Sequence, residues 1–256
     1  MNAVSLAYRR DRAIVLGGLV GLCMLSWLYL FYLVWMMDRM QGAMAAPQMM
    51  QWSAIEAFLC FIMWAVMMAG MMIPSATPMI MVFTRTYRQR ANQGQPYVPT
   101  SLFVLGYLAV WTAFSIIATA AQWGLHTATL LSPMLLKTTS PILGGTILIA
   151  AGVFQWTDLK QRCLKHCRSP LSFLLNAWRD GRFGAFHMGL SHGLFCLGCC
   201  WALMGLLFVT GVMNLLWVAL IGIYVMVEKL VPFERIVGRG IGALLVVWGL
   251  ALLLVR

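Results

Sequence analysis

Long apolar runs separated by short, mostly basic connections make up nearly the whole chain. Runs at Ile14–Met37, Trp52–Ile73, Ser101–Trp123, Pro141–Thr157, Phe183–Val209, Val212–Val227 and Val237–Val255 predict helices. A helix crosses a hydrocarbon core of about 30 Å with about 20 residues. The pattern therefore predicts an all-α fold, a polytopic transmembrane bundle of about seven helices in a single membrane domain. The fourth run is short and the sixth is bounded by Glu228, Lys229 and Pro232. The last two runs thus admit an alternative, one re-entrant or irregular unit and six spans in all. Ile14–Met37 follows Arg9, Arg10 and Arg12 and reads as a retained signal anchor. Ala43-Met44-Ala45 resembles a cleavage site, but a cleaved signal carries only about 7–15 apolar residues.

Charge orients the bundle. The chain is 62% hydrophobic and 10% charged, with mean hydropathy +0.84 and net charge +11. On a soluble protein that charge would suggest a nucleic-acid surface; between apolar runs Lys and Arg set topology instead, and nucleic acid is set aside as a partner. With the N-terminus cytoplasmic, fifteen of the eighteen basic residues fall inside, six of them in the 158–182 segment, read as a basic cytoplasmic loop. Only Arg39, Lys137 and Arg256 fall outside. The expected setting is an inner, cytoplasmic-type membrane, with lipid as the constant partner. Gly17/Gly21 and Gly189/Gly193 stand at the spacing of close helix contacts.

Soft metal donors cluster in three places. In the fifth span Met188, His192, Cys196 and then Cys199 or Cys200 follow at helical steps and share one face. Such N and S donors suit Cu(I) or, less well, Zn(II), although cysteine also packs as a small hydrophobe. In the second span Glu56, Cys60, Met63 or Trp64, Met67 and Met71 form a stripe, with Met68 and Met72 beside it. Thioethers favour Cu(I) over zinc, yet a methionine stripe is also ordinary packing. Opposite helix directions put Met67–Met72 level with His192–Cys196. Pro74 and Pro78 remove backbone donors nearby, at a kink or at the helix end. The third cluster is Cys163, His166 and Cys167 in the basic loop, a compact soft-metal motif where Arg162, Lys165 and Arg168 would favour thiolate. A basic helix lying on anionic lipid fits the same residues.

Seven cysteines, an odd number, argue against a disulfide framework. No Walker loop, GxSxG, HExxH or strand-borne GxGxxG occurs, so ATP-driven transport and ordinary hydrolysis lose support and an enzyme is not expected.

Three signatures carry a resemblance over roughly residues 50 to 235. They are Met63-Trp64 through Met71-Met72-x-Pro74-x-x-x-Pro78; Thr157-x-Leu159-Lys160-x-x-Cys163-Leu164-x-x-Cys167-Arg168-x-Pro170; and Gly189-x-x-x-Gly193-x-x-Cys196-x-Gly198-Cys199-Cys200-Trp201. The Glu228-Lys229 step with Pro232 is similar too. In these the chain resembles the predicted metal-binding integral membrane proteins grouped as domain of unknown function 2182. The resemblance implies metal binding, with a copper chaperone or assembly role. The leading expectation is a Cu(I)-handling membrane protein that exchanges metal with a copper donor or acceptor protein or a cuproenzyme. Its ligand pool is Met67, Met68, Met71, Met72, His192, Cys196, Cys199 and Cys200, with Cys163, His166 and Cys167 as a second, cytoplasmic site. The alternatives are a transmembrane thiol–disulfide oxidoreductase using Cys196–Cys199 and Cys163–Cys167, and an accessory subunit of a membrane complex.

Overall fold

A computed structural model describes residues 3–41, 53–96, 98–131, 136–231 and 234–254. The Ala43-Met44-Ala45 site, Pro232 and Arg256 lie outside the described residues. The described chain is all-α: α1 Ala3–Gln41, α2 Ala54–Ala91, α3 Thr100–Thr127, α4 Pro141–Phe154, α5 Asp158–Arg168, α6 Pro170–Ala177, α7 Gly181–Gly205, α8 Leu207–Thr210, α9 Leu215–Leu230 and α10 Glu234–Leu254.

Local chemistry starts several of these helices. Ser53 caps α2 in a reciprocal box with Glu56, and Ser140 and Thr157 cap α4 and α5 through their hydroxyls. Glu56, counted above in the second-span stripe, has this capping role. Pro74 and Pro78 neither end nor break α2, which runs on to Ala91 instead of stopping near Ile73. Pro74 has no N–H for the Gly70 carbonyl, and the Cys23 thiol of α1 donates to that oxygen at 3.5 Å.

Among the described residues five helices are long and apolar enough to cross a membrane: Asp11–Met37, Ala54–Ala91, Thr100–Thr127, Gly181–Thr210 and Arg235–Leu254. A sixth crossing arises if α4 and α5, which meet at 63°, form one broken span. The sixth expected span, Val212–Val227, corresponds to α9, whose 16 residues fall short of the length a crossing needs.

Glycines set the closest helix approaches. A β-carbon on Gly106 of α3 would stand 2.1 Å from the Phe186 carbonyl oxygen, and one on Gly189 of α7 would stand 2.1 Å from that of Phe103. Gly193 continues the seam against Val110 and Tyr107, as its spacing with Gly189 predicted. Gly145, Gly152, Gly242 and Gly249 make a second close crossing, between α4 and α10. A β-carbon on Gly17 or Gly21 would meet nothing within 4 Å, so they form no such seam among the described residues. The Gly17→Ala/Gly21→Ala double variant is therefore expected to unfold within about 0.5 kcal/mol of the parent in a detergent melt.

One end of the bundle is tied by ions. Arg88 of α2 pairs with Asp11 of α1, Arg90 pairs with Asp180 before α7 at 2.9 Å, and Tyr87 donates to the Arg179 carbonyl at 3.1 Å. The 158–182 segment, expected as a basic loop, is instead largely helical and packed. Its α5 lies along α7, with the Cys163 sulfur 2.7 Å from where a Gly198 β-carbon would be and the His166 ring stacked on Phe195 at 4.2 Å. Only a glycine at 198 admits the helix this closely.

Candidate metal centre

Helical spacing on α7 stacks His192, Cys196, Cys199 and Cys200 on one face, and the structure buries all four. A thiol from another helix joins them. Cys167 of α5 is buried where this helix packs against α7, on the side of the Cys196 and Cys199 thiols. Lys160, Leu164 and Cys167, spaced four and three apart, form the buried face of α5, so the helix that carries basic residues outward carries one cysteine inward. Cys163 is half-buried beside Cys199. The Cys199 and Cys200 thiols each donate to the Cys196 carbonyl, at 3.0 and 2.9 Å.

A cation stands among the sulfurs. Lys229, near the end of α9, donates from Nζ to the Cys196 sulfur and to Ser75 Oγ of α2, each at 2.9 Å. Ser75 in turn donates to the Met72 carbonyl at 2.9 Å, and the Tyr107 hydroxyl lies 3.2 Å from that carbonyl and 3.1 Å from the Cys196 sulfur. Helices α2, α3, α7 and α9 thus converge on Cys196. Tyr107 gives its one proton to the Met72 carbonyl, so a Cys196 thiol donates to the Tyr107 oxygen, and a Cys196 thiolate accepts from Lys229. Lys229, Tyr107 and Ser75 were missed as members of this site by the reading of the sequence. An ionisable residue inside an apolar run is a functional signal in its own right, and Glu228-Lys229 was such a signal; nothing in the sequence marked Tyr107.

A second buried polar unit lies next to the first. Lys160 pairs with Glu228 at 2.6 Å, both side chains essentially inaccessible; Lys160 also donates to Gln155, and Tyr224 donates to Glu228 at 3.0 Å. Lys160 and Lys229 had been counted among the cytoplasmic loop charges. Both are interior groups, so neither bears on which loops face the cytoplasm.

Other expected ligands are placed differently. Met67, Met68, Met71 and Met72 are all buried, but Met71 lies against Gly222 of α9, and only the backbone of Met72 is joined to the Cys196 network. His166 does not complete a triad with Cys163 and Cys167. It is exposed at the edge of the α5–α7 contact, its ring on Phe195 and its Nδ1 2.9 Å from the Arg162 carbonyl, while Cys167, one residue and about 100° further round the helix, is buried. Arg168 donates to the Val231 carbonyl at 2.7 Å, and Lys165 faces a cleft, so the positive charge at the thiols comes from Lys229. His192 is enclosed by the rings of Phe103, Tyr107 and Phe173, and its Nδ1 has no hydrogen-bond partner.

Among the described residues no group of three or more His, Cys, Asp or Glu side chains stands in a metal-holding arrangement. The donor chemistry nevertheless suits a soft monovalent ion. Four buried thiols from two helices and an orphaned imidazole nitrogen are donors that thiophilic Cu(I) takes, and Cu(I) is satisfied by low coordination numbers. The sequence profile of a family described as PpoB2, copper chaperone, matches residues 61–252, which include every residue of this cluster. The chain belongs to this copper-chaperone family. No curated protein and no solved structure matches it.

Proposed function

We propose that this copper chaperone carries Cu(I) as cargo on the thiols of Cys167, Cys196 and Cys199, with Cys200 and Cys163 beside them. The observation that carries the reading is the burial of Cys167 of α5 with Cys196 and Cys199 where α5 packs on α7, with the Lys229 ammonium 2.9 Å from the Cys196 sulfur. Binding Cu(I) to a thiol displaces its proton, and a fixed cation next to Cys196 offsets the negative charge that develops on sulfur. Tyr107 and Ser75 hold the surrounding helices in register and give that cation a partner other than sulfur. His192 shares the thiol face of α7 as a further donor, and the buried methionines of α2 are thioether donors elsewhere in the same core. Zinc fits the methionines poorly.

The ends of the helices support a cytoplasmic N-terminus. Arg12 of α1, Arg85, Arg88 and Arg90 of α2, and Arg179 and Arg182 before and in α7 gather at the end fastened by Asp11–Arg88 and Asp180–Arg90. The membrane is then of the inner, cytoplasmic type, and the carrier exchanges cargo with a copper donor or acceptor protein.

Elemental analysis of the chain purified in detergent tests the proposal. Stoichiometric copper is expected after loading under reducing conditions, and Cys196→Ser/Cys199→Ser is expected to lose most of it. Copper retained in full by that variant, or never bound by the parent, sinks the reading. A thiol–disulfide relay has less support: all seven cysteines are free thiols and Cys167, Cys196, Cys199 and Cys200 are shut away from a partner's thiol. The same metal analysis separates an accessory, metal-free subunit.

A further inference from the structure

The buried thiols need a way in. Helix α5 has two sides: Cys167 faces the interior, while Lys165 and His166 line a cleft of about 400 Å³ that also takes in Ser169, Phe173, Ser191 and Phe195. Two aromatic rings form the wall between this cleft and the interior. Phe173 meets Phe195 edge-on at 6.2 Å on the cleft side and His192 at 5.7 Å on the inner side. An exposed imidazole therefore stands on one side of the wall, and a buried imidazole with an orphaned Nδ1 on the other.

His166 is prepared as a ligand. Its Nδ1 lies 2.9 Å from the Arg162 carbonyl, an acceptor only, so Nδ1 carries the proton and Nε2 is the basic nitrogen. Metal-ligating histidines are commonly oriented by just such a bond from the other ring nitrogen. The ring also lies flat on Phe195, with an interplanar angle of 5°, which fixes its direction.

We infer that the cleft lined by His166, Phe173 and Phe195 is the entry site for cargo, where His166 Nε2 takes Cu(I) from a thiolate carrier before it passes the Phe173 ring to His192 and the thiols. This rests on the copper reading of the thiol cluster. Cu(I) held by two thiolates is an anionic complex, and Lys165 on the cleft supplies the matching charge. The step is a ligand exchange without redox change: one Cu–S bond to the carrier breaks as a Cu–N bond to His166 forms, the second Cu–S bond breaks as the metal passes to the inner donors, and the two released thiolates take up protons equal to those the inner thiols lose on binding Cu(I).

The test is the rate of loading of the purified full chain from Cu(I) complexed with glutathione, with final stoichiometry measured alongside. His166→Phe keeps the stack on Phe195 and removes the donor. It is expected to load slower by about ten-fold, the lower range for losing a metal-site histidine or its support, and to reach the same final copper content. His166→Met, which restores a soft donor without the ring stack, is expected to recover most of the rate. Loading by His166→Phe at the parental rate overturns the entry site. So does a slow His166→Met variant whose stability matches the parent, because the ring and not the donor would then matter. The thiol reading fails separately, by an unaltered end point in Cys196→Ser/Cys199→Ser.

Discussion

Gly189→Leu is expected to yield no monodisperse protein in detergent, and Gly189→Ala to melt far below the parent. The first side-chain carbon at this position would fall 2.1 Å from the Phe103 carbonyl oxygen. A flexible side chain could swing aside, but a carbonyl inside α3 cannot move without the helix. Inserting a single methyl into a packed core costs about 1–3 kcal/mol when side chains can adjust. Here α3 and α7 must separate along a seam that also includes Gly106 and Gly193, so the loss lies at or above that range. The consequence reaches the site, because α3 carries Tyr107 to the Cys196 sulfur. Copper content is expected to fall with stability in Gly189→Ala, whereas Gly124→Ala, with nothing within 4 Å, leaves both unchanged. A Gly189→Ala protein within about 0.5 kcal/mol of the parent, the range of an uncoupled surface change, shows that the seam is not this tight.

What the sequence disclosed follows from the range of the interactions involved. Helical periodicity placed His192, Cys196, Cys199 and Cys200 on one face because that relation is local to α7. Small-residue spacing found the Gly189/Gly193 contact for the same reason, yet it pointed equally to Gly17/Gly21, where the spacing exists but no described residue comes within 4 Å of an added β-carbon. The course of α5 was not legible. A 63° turn after Phe154 sends the segment along α7, and packing one face of α5 there buries Cys167 and leaves His166, about 100° round the same helix, exposed. Charge counting misassigned Lys160 and Lys229 because hydropathy sees a cation, not its partner. Glu228 beside Lys229, at the end of an apolar run, was the available hint that these charges were paired within the protein. The prolines of α2 misled in another way: the rule that proline breaks a helix assumes an unsatisfied carbonyl, and Cys23 of α1 attends to the one left by Pro74.

Removing one member of the Lys160–Glu228 pair is expected to destabilise the protein by about 3–5 kcal/mol, the usual result of leaving a buried charge without its partner. Lys160→Met leaves the Glu228 carboxylate in an apolar interior with the Tyr224 hydroxyl alone to offset it. Lys160→Met/Glu228→Leu removes both charges and is expected to recover most of the loss, since a buried pair seldom outperforms apolar groups of similar volume. Thermal unfolding of the two singles and the double, read as a cycle, measures the coupling. The pair also has a positional role. Lys160 lies two turns before Cys167 on the same face of α5, and Glu228 precedes Lys229 on α9, so the bond fixes the thiol of one helix against the ammonium of the other. Copper retention is therefore expected to drop in each single variant. If the double variant regains stability but not copper, the ion pair sets the register of Cys167 and Lys229 and apolar packing does not replace it. If it regains both, the pair holds α5 to α9 without specifying how. Single variants as stable as the parent, by contrast, are incompatible with a charged pair buried between these helices.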